Sequence, residues 1–191
     1  MLMGDSGRCD SLTEGSIRSQ SKAKKEEIKM QFYSRYESPF GEITIAADEE
    51  GIIGLWFKGQ KYFGLSSDAV ERETDAIKET KKWLDTYFAG KKPDFMPELH
   101  MVGTEFQLAV WKALQAIPYG STISYGELAK QVKTESGAVS PRAVGSAVGH
   151  NPILLFVPCH RVIGKDGQLT GYAAGVERKK ALLALEKKAS K

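Results

Sequence analysis

Cys159 and His160 stand side by side in the run Val157-Pro158-Cys159-His160-Arg161-Val162. A free cysteine becomes a nucleophile as its thiolate, which a neighbouring base or positive charge favours. Pro158 stiffens the chain ahead of the thiol, and Gly164 and Gly167 mark a turn behind it. The apolar residues Ile153 to Val157 lead into this stretch. So short a run, bounded by prolines, is expected to be a buried extended segment. Neighbours on extended backbone point to opposite sides, so His160 is expected to act through a water or a bend in the chain. An isolated Cys-His pair is more often a structural cysteine beside a histidine. Asn151-Pro152 before it and Gly171-Tyr172 after it set this one apart.

A carboxylate belongs with the pair. Residues Val176 to Lys187 have the pattern of a closing helix, with Lys179, Leu182, Leu183 and Glu186 on one face. Glu186 therefore lies on an apolar stripe, where a buried carboxylate needs a partner, and His160 is the natural one. The other chemistry-bearing residues are sparse. Cys9 lies in a polar tail, and histidines occur only at 100, 150 and 160. No spacing suggests a metal site, and neither a disulfide framework nor a cofactor is expected.

Three helix starts precede the thiol. Thr104-Glu105-Phe106-Gln107 and Ser124-Tyr125-Gly126-Glu127 have the capping-box pattern, and Ser140-Pro141 offers an N-cap serine with proline at the first helical position. The last two helices, separated by a turn at Lys133 to Val139, suggest a helix-turn-helix. On the second, Arg142, Gly145, Ser146 and Gly149 recur at i, i+3, i+4 and i+7, opposite Val144, Ala147 and Val148. An arginine above a nearly bare strip suits either tight helix packing or close approach to a DNA groove.

Charge supports the second use. Up to residue 102 there are 15 Lys and Arg against 18 Asp and Glu; beyond it there are 12 against 6. The C-terminal half is thus a candidate polyanion-binding surface, although part of its excess is the lysine-rich end. Residues 1–29 are polar and read as a disordered leader or appended tail. From Gln31 short β-prone runs and turns indicate an antiparallel meander over 31–58, followed by a helix near Asp68 to Phe88 and an extended return over 91–101. Trp56, Phe57, Trp83 and Tyr87 are expected in the core, and nothing in this half looks catalytic. With no membrane-spanning run and no signal-peptide core, a cytoplasmic protein is expected.

Pro158-Cys159-His160-Arg161-Val162, with its Asn-Pro and Gly-Tyr flanks, resembles the O6-alkylguanine-DNA alkyltransferases, also called methylated-DNA–protein-cysteine methyltransferases. The resemblance is strong over 104–186 and looser over 31–102. It implies an α+β fold: a small N-terminal antiparallel sheet with a helix, ribonuclease H-like, over 30–102, and a mostly helical winged helix-turn-helix domain over 103–191. It further implies a monomer that acts on double-stranded DNA carrying alkylated guanine, contacts the minor groove, flips the base, and moves the alkyl group irreversibly to Cys159.

The same resemblance implies roles for individual residues. His160 is the base, acting through water, and Glu186 orients it. Asn151 holds the two DNA-binding helices and the active-site turn together. Tyr125 donates to the leaving base. Arg142 replaces the flipped base, and Ser140, Gly145 and Ser146 complete the DNA face. Tyr172, Val162, Ala173 and Val148 form the substrate pocket, whereas Arg161 is structural. Two departures stand out. Ala173 and Ala174 occupy positions where the family usually has a hydroxyl residue and a glycine, removing one hydrogen bond to substrate. The ligands for the N-terminal zinc found in some members are missing. The alternatives are a helix-turn-helix damage-binding or regulatory module without transfer chemistry, and a thiol hydrolase.

Overall fold

The computed structural model describes residues 30–132 and 137–189. The leader with Cys9 and most of the 133–139 turn lie outside the described residues. In chain order the elements are β1 (Phe32–Ser38), β2 (Gly41–Ala47), β3 (Ile52–Phe57), β4 (Val70–Glu71), α1 (Asp75–Phe88), α2 (Glu105–Gln115), β5 (Ile123–Ser124), α3 (Tyr125–Gln131), α4 (Pro141–Gly149), β6 (Val162–Ile163) and α5 (Val176–Ala189), with a 3-10 turn at Cys159–Arg161.

The first sheet has the order β3-β2-β1-β4. Its first three strands form the expected antiparallel meander. Val70–Glu71, however, is not helix: it pairs parallel to Phe32 and Tyr33 of β1. Helix α1 starts later than expected because Thr74 is its N-cap, its side chain accepting from Ile77 N–H. The face of α1 carrying Ile77, Leu84 and Tyr87 packs onto the fully buried Ile43, Ile45 and Phe57 of the sheet in one continuous core. Burying a side chain of that size contributes about 1.5–3 kcal/mol.

Capping boxes at Thr104 and Ser124 set the starts of α2 and α3. Ser140 caps α4, with Pro141 in its first turn. Trp111 of α2 donates a 3.0 Å bond to the Ala147 carbonyl, which fixes α4 against α2. A short parallel pair, β5 with β6, brings the start of α3 next to the segment after the thiol.

The two halves meet at residues 152–157. Leu55 N–H donates to the Pro152 carbonyl, and Leu154 N–H to the Leu55 carbonyl. Ile153 to Val157 are all buried, as expected, but they are not extended. Val157 N–H bonds back to Ile153, Phe156 N–H to Leu154, and Leu155 adopts φ 71. An extended run would leave many backbone groups unpaired here, where only Ile153 bridges to the sheet. Coiling on itself satisfies them.

Candidate active site

Cys159 opens the 3-10 turn behind Pro158 and is 4 % exposed. The turn, unlike the extended backbone expected there, places thiol and imidazole on one bend of backbone. Asn151, just past α4, organises it. Its side-chain N–H₂ donates to the Val157 carbonyl at 2.7 Å and to Cys159 Sγ at 3.2 Å, and its carbonyl accepts from Ile153 N–H. One amide thus joins the end of the helix-turn-helix to the thiol.

Behind the thiol lies a buried polar cluster. His160 Nε2 is 2.7 Å from Glu186 Oε1, both side chains fully buried. Arg161 donates to the same carboxylate from Nε at 2.9 Å and Nη2 at 3.0 Å, and from Nη1 to the Ile117 carbonyl. Gly120 N–H and the Tyr87 hydroxyl also donate to Glu186. The expected His160–Glu186 pair is present, and Arg161 is part of it. Sequence reasoning missed Tyr87 as a site residue, because its place on the apolar face of α1 marks it only as core. Lys179, fully buried, donates to the carbonyls of Val162 and Thr170 at 2.6 and 2.9 Å.

The electrostatics follow from burial and partners. Burial works against ionisation of Glu186, but hydrogen bonds from His160 and Arg161 and the charge of Arg161 outweigh it and hold the carboxyl well below its usual range. Burial pushes His160 down, against the pull of Glu186. The imidazole is therefore neutral at neutral pH, with the Arg161 cation compensating the carboxylate. An ionised carboxylate accepts from Nε2–H, which leaves Nδ1 unprotonated. That nitrogen is buried and makes no hydrogen bond to protein. Burial pushes the Cys159 thiol up from 9.0 to about 11, while the Asn151 bond and the Lys179 charge pull less strongly the other way. The resting group is a thiol.

Cys159 lies at a cavity of about 240 Å³ lined by Tyr125, Gly145, Val148, Gly149, Tyr172 and Ala173 with Lys61, Tyr62 and Gly171. Tyr125, the first residue of α3, has its hydroxyl titration raised by burial. Its ring would meet a Cβ at Gly145 at 3.7 Å, whereas a Cβ at Gly149 would meet nothing within 4 Å. The bare strip of α4 therefore faces Tyr125 and the cavity. Arg142, Ser140 and Ser146 are exposed on the same helix and its cap. Of the expected pocket residues, Tyr172, Ala173 and Val148 line the cavity. Val162 does not: it is buried in β6, where its carbonyl accepts from Lys179. Lys61 and Tyr62 were not anticipated, since nothing local marks a polar loop 100 residues upstream as reaching the thiol. Among the described residues no group of His, Cys, Asp and Glu is arranged to hold a metal.

A sheet-and-helix half joined to a helix-turn-helix half, with a buried thiol at their junction, defines an α+β protein with a cysteine centre beside a candidate DNA-contacting helix. Residues 31–100 match the ribonuclease-like domain of 6-O-methylguanine DNA methyltransferase, and residues 105–188 match its DNA-binding domain. The chain belongs to this family. It is 47% identical over 156 residues to the methylated-DNA–protein-cysteine methyltransferase of Methanosarcina acetivorans, covering 81% of this chain and 97% of that one. It is 46% identical to the Mycolicibacterium paratuberculosis protein of the same name, covering 83% and 93%. A Mycobacterium tuberculosis OGT solved in complex with DNA superposes with TM-score 0.74 at 44% identity, covering 83% of this chain and 94% of that one.

Proposed function

We infer that this protein repairs DNA by moving methyl and larger alkyl groups from guanine O6 in duplex DNA to its own Cys159. The observation that carries this reading is the position of the thiol: beside a cavity walled by the glycine strip of α4 and the Tyr125 ring. Arg142 at the exposed start of α4 fills the place of an extruded nucleotide, and Ser140, Gly145 and Ser146 lie against the minor groove. The flipped base then enters beside Tyr172, with Val148 and Ala173 as walls.

In the chemical step the Sγ–C bond forms as the C–O6 bond breaks. The thiol proton leaves toward His160 Nδ1, through water, and Glu186 stabilises the imidazolium that results. Tyr125 donates to the departing guanine as charge develops on it, and the proton lost by the thiol ends, in net balance, on guanine. Asn151 holds Sγ in line. The product is a thioether, so each molecule acts once, and no step calls for a metal or organic cofactor. No helix among the described residues is long and apolar enough to cross a membrane. We place the protein in the cytoplasm, acting as a monomer.

The test is stoichiometry. Mixed with excess duplex carrying one O6-methylguanine, the chain should gain one methyl group and stop. Continued turnover would instead indicate a hydrolase.

A further inference from the structure

One wall of the cavity comes from outside the DNA-binding half. Lys61 and Tyr62, in the connection between β3 and β4, line it together with Cys159. Two contacts hold this connection there. Lys61 N–H donates a 3.1 Å bond to the Ala173 carbonyl. The Tyr62 ring packs on His150, at the C-terminal end of α4, with centroids 4.3 Å apart and planes 37° apart. Tyr62 adopts φ 59, a left-handed conformation that bulky residues seldom take. Such conformations persist where surrounding structure enforces them, and they gather at functional sites.

The remaining lining sorts by size. Gly145, Gly149 and Gly171 present backbone, Ala173 a single methyl group, and Val148 a buried side chain. The hydroxyl end of Tyr172 is buried, and Tyr125 packs against Gly145. Tyr62 is the aromatic wall left mostly in solvent, 57 % exposed. A methyl group carried to the thiol needs little room beyond the base itself. A larger group must spread against a wall, and among the lining residues Tyr62 offers the exposed aromatic ring.

We propose that Tyr62 sets the upper size of the alkyl group accepted on guanine O6, and that the Lys61–Ala173 backbone bond fixes its position against the 171–175 loop. Resting on the alkyl-transfer reading above, this adds a specificity determinant from the N-terminal half.

The measurement is a ratio: single-turnover transfer from a duplex carrying O6-benzylguanine, divided by transfer from the same duplex carrying O6-methylguanine. It is taken for the wild type, Tyr62→Gly and Tyr62→Phe. Glycine suits left-handed backbone, so the first variant removes the ring without adding strain. Each rate includes a flipping step in the same sequence context, which the ratio largely cancels. The ratio should rise about tenfold in Tyr62→Gly, the scale on which pocket fit discriminates, and stay within about twofold of wild type in Tyr62→Phe. An unchanged ratio in Tyr62→Gly, including equal loss on both substrates, overturns the proposal. So does a ratio that rises as much in Tyr62→Phe. A wild type that accepts no methyl group overturns the alkyl-transfer reading instead, so the two failures are distinct.

Discussion

Tyr87 of α1 donates a 2.7 Å hydrogen bond to Glu186 of α5, across 99 residues of sequence. The carboxylate behind His160 is therefore gripped from the N-terminal sheet half as well as from its own. Burial, reinforced by the Glu186 charge, keeps the phenol well above its usual range, so it remains a donor at working pH.

Tyr87→Phe keeps the ring stacked on Trp83 and removes only the hydroxyl, with its bond to Glu186 and its 3.4 Å contact to His160 Nε2. Urea unfolding should register a loss of about 1–2 kcal/mol, the cost of leaving one buried acceptor poorer. Single-turnover transfer should slow while duplex affinity holds, and the pH profile should move as His160 gains proton affinity. Lost stability with an unmoved profile would make Tyr87 a packing residue only.

Glu186→Gln and His160→Ala should each slow transfer, and the double mutant should be far from additive, as for groups acting as a unit. Glu186→Gln has a second consequence, because Arg161 stays buried with its counter-charge gone. It should destabilise the fold by about 3 kcal/mol or more. Glu186 is depressed in the folded state, so its stabilisation is present above its unfolded pKa near 4.5 and is lost as pH falls through the folded value. The variant's acid-unfolding curve should be flatter there. Additive kinetics would separate the two side chains.

Cys159 has the opposite linkage. Its folded pKa is raised from 9.0 to about 11, so its contribution to stability is complete below 9 and is lost as pH rises through 11. Cys159→Ala should remove that loss from the pH–stability curve. A small neutral alkylating reagent should modify Cys159 slowly at pH 7, gaining about tenfold per pH unit as thiolate appears. Transfer from methylated duplex should be much flatter, because His160 takes the proton in the complex. Fast, pH-independent reagent modification would mean a thiolate at rest.

Much of this site can be read from local chemistry. Thr104, Ser124 and Ser140 announce their helices because caps act within three residues. Glu186 stands out because a carboxylate on an apolar stripe needs a partner. Contacts made across long sequence distances leave no such trace. The hydroxyl of Tyr87 and the reach of Lys61–Tyr62 depend on how the sheet docks on residues 152–157. Periodicity also cannot tell a buried strand from a buried coil, so Ile153 to Val157 reads as extended although the segment coils and Leu155 is left-handed. The start of α1 is the converse case: Thr74-Asp75 was a legible cap, obscured by charged residues upstream that suit a helix but pair with β1.

Arg142 separates a wedge from a phosphate contact. Arg142→Ala should cut transfer on matched duplex far more than on free O6-methylguanine, with partial rescue by a mismatched target whose extrusion costs less. Arg142→Lys should rescue poorly, since lysine lacks the flat guanidinium. Good rescue by lysine, with a shallower salt dependence of binding, would make it a phosphate contact.

The central claim is that Cys159 is the alkyl acceptor. Its most direct measurement is peptide-level mass mapping after reaction with duplex carrying isotope-labelled O6-methylguanine, for wild type, Cys159→Ser and Cys9→Ser. One label per chain, located on Cys159, is predicted for wild type and Cys9→Ser, with none in Cys159→Ser although that variant still binds duplex. Label on any other residue, or transfer surviving in Cys159→Ser, would contradict it.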